Sequence, residues 1–447
     1  MSYLSTLNGQ IKNSRSRIYR RLFIKRRVSG TGLYETTWQD ISSDVIKWGS
    51  IRKEIDNSKV NNYKFSGASI SMNNQSGKFN PFDNPDSLWF GYGDQQRTLV
   101  KIECGFLYQT RGTNGIWTTT ELPSSNIIFS GYVSGNINIT GSNQVTLPIV
   151  PLSDCFRTFS SRRLTGWNNS LTASDFVQLL RDQQDANGEY IFRPFFGDTT
   201  TNWVITASTN EYSNLNTSTA EDVINNNVWA IIEKLSEAEN YVPIVSNSGV
   251  FNFRPRAIST TPIYEFYGVG GFSSEYGHTI KKINWYGKRH SKYYSRVSVK
   301  WAEPDTSTSY EVVESSYLVA STSGPWTLGE KSLNITNTWI PTSTAANIIA
   351  NELFDEFSAI RNEIEFTTSL VPHLDIFDRV LVTYDPSPIL GNSLWDLYNW
   401  ADSVSAADDM IWDDSGGEAL KLYQKEFKLI SIDINLDSSE CKFIGRD

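Results

Sequence analysis

The sequence predicts a mainly β, multidomain protein with an α+β insertion. Three observations carry that reading. Short runs that alternate apolar and polar residues recur along most of the chain, separated by turns rich in Gly, Asn and Ser. Only three stretches space their apolar residues as a helix would. The length, 447 residues, exceeds what one hydrophobic core usually supports, so about two to four domains are expected. Aromatic residues make up 13% of the chain, with 14 Trp, which is enough apolar material for packed cores.

The first strand candidate opens on residues 15–27, RSRIYRRLFIKRR. They hold seven cations in thirteen positions and no acid, in a chain of formal charge −9. Apolar and cationic positions alternate over 17–26, which suits a half-exposed strand better than a helix. Ser29-Gly30-Thr31-Gly32 turns the chain, and 34–41 resumes it. Further strand candidates are 63–72, 98–108, 126–135 and 144–150. Turn chemistry at 73–77 (Asn-Asn-Gln-Ser-Gly), 112–115 (Gly-Thr-Asn-Gly) and 141–143 (Gly-Ser-Asn) parts them. Strands at this spacing predict a barrel or sandwich up to about residue 158.

The texture then changes. In 170–180, Thr172 is the candidate N-cap ahead of apolar residues at helical spacing. A second helix is expected after Thr219 as cap, with Glu221 and Asp222 in its first turn. Its stripe is Val223, Ile224, Val228, Ile231, Ile232 and Leu235, ending near Asn240. A hairpin follows, 242–245 against 250–254 around a Ser-Asn-Ser-Gly turn. Strand texture returns over about 263–340, notably 295–301. A third helix opens near Ser343 and is expected to carry Ile348, Ile349, Leu353, Phe354 and Phe357 inward. Glu352, Asp355 and Glu356 would form its solvated face. The chain closes in strands, ending with 427–436. These textures divide it into a β-barrel-like domain (1–158), an α/β domain with two helices and a hairpin (159–262), a second β domain (263–341), and a helix-plus-β domain (342–447). Discontinuous domains are allowed for.

Few catalytic constellations survive inspection. No Walker loop, HExxH or GxSxG motif is present, and Gly268-Val269-Gly270-Gly271 lacks the helix that a dinucleotide site needs. His278 and His290 have no serine or cysteine at motif spacing. The three distant cysteines, Cys104, Cys155 and Cys441, make neither a disulfide framework nor a CxxC zinc site. No catalytic residue, cofactor or metal is therefore assigned. The N-terminus lacks an apolar signal-peptide run, and no stretch approaches the ~18 apolar residues that span a bilayer. A soluble protein made inside a cell is expected. The acidic balance argues against duplex nucleic acid as the main partner.

Residues 386–418 form a loop rich in Trp and Asp. Asp402, Asp408, Asp409, Asp413, Asp414 and Glu418 could suit calcium, although their spacing matches no EF-hand loop. A solvated acidic loop is the simplest reading. Trp395, Trp400 and Trp412 need a surface to pack on, either a neighbour or ligand, which makes them candidate interface residues, or equally the loop itself. The basic strip supplies the others: Arg15, Arg17, Arg20, Arg21, Lys25, Arg26 and Arg27, all ahead of the first acid, Glu35. Its simplest reading is a strand with an Arg-rich polar face. An acidic protein surface comes next, because Arg forms planar, multidentate pairs with carboxylates. Nucleic acid comes third, since the strip lacks an interleaved stacking pattern.

Several motifs follow one another along nearly the whole chain. Tyr19-Arg20-Arg21-Leu22 leads to Trp38-Gln39-Asp40-Ile41 and to Asp44-Val45-Ile46-Lys47-Trp48-Gly49. Asn74-x-x-Gly77-x-Phe79 follows a strand, and Phe129-x-Gly131-x-Val133 lies in another. The helix 228–241 precedes Phe251-x-Phe253-Arg254-x-Arg256. Pro372-x-Leu374-x-x-x-Asp378-x-Val380-x-Val382 stands near the end. In this order they resemble the tail-hub (baseplate hub, minor tail) proteins of tailed bacteriophages. The resemblance implies tail-tube-like β-barrel domains plus a helix-containing domain, and a non-enzymatic homotrimer at the virion tail tip, assembled in the host cytoplasm. Such a trimer joins a sixfold tail tube to a threefold tip. Its partners would be the tail tube and tip or fibre proteins, with possible contact to tail-lumen content and no membrane insertion. The 386–418 loop has no counterpart in that pattern. Two other readings stay open: a peripheral receptor-binding module stacking the three Trp on glycans, and a glycan hydrolase using a carboxylate pair among Asp402 to Glu418.

Overall fold

The alternation at the basic strip does form a strand, β1 (Arg17–Lys25), with Leu22 and Ile24 fully buried. A computed structural model describes residues 17–29, 33–56, 62–80, 84–92, 95–111, 117–121, 127–135, 137–140, 143–166, 170–197, 200–212, 226–256, 261–268, 280–288, 294–301, 310–314, 332–337, 339–358, 361–384 and 422–447. After β1 come β2 (Gln39–Asp40), β3 (Val45–Lys47), β4 (Ser50–Asp56), β5 (Asn62–Phe65), β6 (Ala68–Asn73), β7 (Leu99–Arg111), β8 (Trp117–Glu121), β9 (Ile127–Val133), β10 (Asn138–Thr140) and β11 (Gln144–Pro151). Nine of them form one antiparallel sheet in the order β2-β1-β7-β9-β11-β6-β3, with β8 on β7 and β10 on β11. The expected strand at 63–72 is two strands, since β5 and β6 lie in different sheets. Of 34–41 only β2 pairs as a strand, while Tyr34 forms a single bridge with Arg27.

Next stand α1 (Asp154–Thr158), α2 (Ala173–Asp182), α3 (Arg193–Phe196), β12 (Trp203–Ile205) and α4 (Val228–Glu239). Thr172 caps α2 as the spacing predicts. Its Oγ1 accepts the Asp175 N–H at 3.1 Å, and its own N–H donates to the Asp175 carboxylate at 3.2 Å. Thr219, Glu221, Asp222, Val223 and Ile224 lie outside the described residues; Asn227 caps α4, accepting the Ala230 N–H at 2.8 Å. Val228, Ile231, Ile232 and Leu235 do form its buried stripe. The hairpin of β13 (Tyr241–Val245) and β14 (Phe251–Pro255) follows, with β12 parallel on β14.

The rest comprises β15 (Tyr264–Gly268), β16 (Ile280–Lys288), β17 (Arg296–Lys300), β18 (Tyr310–Glu314), β19 (Ser332–Thr336), α5 (Ser343–Phe357), β20 (Asn362–Ser369), β21 (Arg379–Tyr384), β22 (Leu422–Asn435) and β23 (Glu440–Arg446). The order β21-β15-β16-β20-β23-β22 closes on itself through β21–β22, giving a six-stranded barrel. The long β22 does double duty: residues 422–428 pair with β21, and residues 431–435 pair with β4. β4 and β5 thereby join a sheet made otherwise of strands beyond residue 263. On α5, Ile349 and Leu353 are buried and Phe354 and Phe357 are half-buried. Ile348, expected inside, is 53% exposed. It falls one residue outside the face that packs on β17 and β18.

Two apolar cores result. The inner faces of the nine-stranded sheet and the barrel share one, which includes Leu22, Ile24, Phe79, Trp89, Phe266 and Phe443. The other gathers the helices, the β13–β14 hairpin and β17, centred on Phe156, whose ring meets Phe192 at 4.9 Å and Phe251 at 5.3 Å. Among the described residues, no helix is long and apolar enough to cross a membrane.

Candidate functional site: a basic, aromatic sheet face

The register of β1 on β7 decides where the cations go. It sets Arg20 opposite Cys104, Arg21 opposite Glu103 and Phe23 opposite Lys101. Because side chains alternate across a strand, Arg20 shares the inner face with Leu22 and Ile24. There it donates to the Ser439 hydroxyl in the β22–β23 turn. Arg21, Phe23 and Lys25 take the outer face. Arg21 lies 5.5 Å from the Tyr19 ring, Lys25 lies 5.9 Å from Trp38, and Lys101 sits 4.6 Å from Phe23 and 5.2 Å from Trp38. Cations and aromatics do interleave, then, but through Trp38 and Lys101, which come from other segments.

Arg26 is committed within the chain. Its guanidinium binds the Glu35 carboxylate at 2.5 and 2.9 Å and stacks 3.7 Å over the Tyr92 ring. Burial pushes the Glu35 carboxyl up, but the hydrogen bonds from Arg26 outweigh it and hold the group below the usual carboxylate range. The first acid after the strip thus neutralises one of its members. Arg27 turns toward a broad basin. Arg15, Trp395, Trp400, Trp412 and the whole acidic tract from Asp402 to Glu418 lie outside the described residues, as does the side chain of Arg17.

That basin lies between the nine-stranded sheet and the α2–α3 region, with a volume of about 1880 Å³. Lys25, Arg27, Arg97, Lys101, Arg163 and Arg193 line it, against Asp185 and Glu189. Lys101 and Arg193 are also paired, with Glu103 at 2.8 Å and Asp182 at 2.6 Å. Leu33, Trp38 and Tyr190, 64%, 37% and 36% exposed, add apolar surface to its walls.

A second charged site was not legible in the sequence. Glu356, expected on a solvated face of α5, is half-buried instead, its side chain 14% exposed. It binds Arg256 and Lys428, the latter at 3.3 Å, and faces Arg446 at 3.8 Å; Arg446 also binds Glu363 at 3.0 Å. Burial pushes the Glu356 carboxyl up, yet the three cations outweigh it and hold it below its ordinary range. Burial drives the Lys428 ammonium down to about 8. The only sequence signal was indirect: Arg256 ends the Phe-x-Phe-Arg-x-Arg motif. A smaller cluster holds Lys53, 1% exposed, on Asp375 at 2.8 Å, while burial raises the nearby Asp378 carboxyl to about 6. Burial also raises the Cys104 and Cys441 thiols to about 12, so both are inert. Among the described residues, no group of three or more His, Cys, Asp or Glu could hold a metal ion.

The other motifs have structural roles. Asn74 accepts the Phe79 N–H at 2.7 Å, Gly77 supplies a φ of +72° and Phe79 is fully buried. At Gly131 a Cβ would stand 2.2 Å from the Val150 carbonyl oxygen, so only glycine lets β9 and β11 approach. Leu374, Val380 and Val382 are core residues of the barrel.

No protein-family model matches the sequence, and no curated protein matches it. Solved structures do resemble it. A tail protein from Neisseria meningitidis MC58 has a TM-score of 0.49 at 10% identity, over 95% of this chain and 96% of the other. The 43 kDa tail protein of prophage MuSo2 from Shewanella oneidensis gives 0.46 at 11%, over 96% and 98%. A prophage tail protein from Listeria monocytogenes EGD-e gives 0.46 at 10%, over 96% and 94%. All three neighbours are tail proteins.

Proposed function

We propose that the chain is a structural, non-enzymatic component of a phage tail tip or baseplate, a hub that joins the sixfold tail tube to a threefold tip as a homotrimer. The observation that carries the reading is the union, in one chain and around one core, of a closed six-stranded barrel and an open antiparallel sheet. Two barrel-like sheets per chain are what a trimer needs to meet a sixfold ring. The ordered motifs support it further, since the residues that recur in them are those that close turns and fill these sheets. The tail tube and tip or fibre proteins would be the neighbours, and the tail lumen the setting.

Light scattering coupled to gel filtration, at low and high salt, tests this. A species of three times 50.6 kDa is expected. A monomer at both salts, with no association on tail tubes, would overturn it.

A further inference from the structure

We propose that the basin between the nine-stranded sheet and the α2–α3 region receives the acidic, Trp-bearing segment 385–420 of a second copy of this chain. The inference rests on the self-assembly proposed above and names its contact. Three observations favour it.

First, the basin's volume of about 1880 Å³ exceeds the roughly 300–1,000 Å³ of ordinary small-molecule sites, which points to a polypeptide occupant. Second, its walls combine an excess of cations with exposed Leu33, Trp38 and Tyr190. Arg and aromatic residues dominate the energetics of protein interfaces. Third, segment 385–420 carries eight acids, no Lys or Arg, and Trp395, Trp400 and Trp412. Of the basin's cations, Lys25 and Arg27 come from the stretch before Glu35, which holds no acid. A closed ring of identical subunits needs two unlike, complementary surfaces on each copy, and this chain has one of each sign. Opposite charge also steers the encounter, at a strength that falls with salt. A nucleic-acid strand is disfavoured as occupant by the chain's net charge of −9.

Two full-length variants test the contact. One reverses the basin, K25E/R163E; the other neutralises the segment, D402N/D408N/D409N/D413N/D414N. By light scattering, the wild type should assemble at low salt and each variant alone should not. Their equimolar mixture should recover a dimer, because the first variant's intact segment can enter the second variant's intact basin. Variants that keep the wild-type mass would sink the inference while leaving the assembly reading untouched.

A labelled peptide of residues 395–418, titrated onto the wild-type chain, gives an arm that does not depend on the variants folding or on the chain self-assembling. Binding weakened about tenfold by raised salt supports the contact; no binding overturns it. Peptide binding only to the segment-neutralised chain, with a monomeric wild type, would place the contact inside one chain and overturn it too. So would equal binding of a single-stranded DNA oligomer.

Discussion

Replacing Glu356 with Gln removes the anion at the centre of the charge cluster, taking its carboxylate from Arg256 and Lys428 while Arg446 keeps Glu363. At an effective dielectric of about 20, opposite unit charges 3.3 Å apart attract by about 5 kcal/mol. Part of that is returned because the carboxylate no longer has to be desolvated. Breaking one partner out of a buried pair then costs about 3–5 kcal/mol net. In a chain of this size the melting midpoint should fall by roughly 3–5 °C. Calorimetry across a pH series reads both magnitude and cause. The folded carboxyl titrates below its ordinary value of 4.5. Its stabilisation is therefore complete above that value and is lost as pH falls through the folded pKa. The gap between wild type and E356Q should be full at neutral pH and close in acid. A neutral-pH gap under about 1 kcal/mol, or a gap unchanged in acid, would refute the reasoning.

Three further outcomes are expected. Gly131→Ala should lower stability by at least about 2 kcal/mol in urea unfolding, because the added Cβ meets the Val150 backbone oxygen as well as the buried Phe129 ring. Thr172→Ala should cost about 1 kcal/mol and fray the start of α2, seen as faster amide exchange over residues 173–176. Asp378→Asn should stabilise the protein at neutral pH by up to about 3 kcal/mol, because burial raises that carboxyl from 3.8 to about 6. A raised carboxyl pKa penalises folding progressively as pH climbs from 3.8 to 6, so the gain should vanish near the lower value. A D378N protein less stable than wild type at neutral pH would contradict this.

The sequence by itself determined the features whose physics is local. Alternation over 17–26 made β1 a half-exposed strand, Thr172 and Asp175 capped α2, and the Ser-Asn-Ser-Gly turn closed the hairpin of β13 and β14. Each needs only residues within a few positions of one another. The tertiary structure alone decided which strands pair and which charges meet. The 63–72 run divides between two sheets, and β22 is long enough to close the barrel with one half and hold β4 with the other. Glu356 looked like a solvated acid because Glu352 and Asp355 beside it are exposed. Its three cations come from about 72 to 100 residues away in the chain, and nothing in local spacing announces them. The basic strip was similarly divided by register. Opposite faces of one strand sent Arg20 inward to Ser439 and Lys25 outward to Trp38, because a period of two fixes the alternation but only pairing fixes what each face meets.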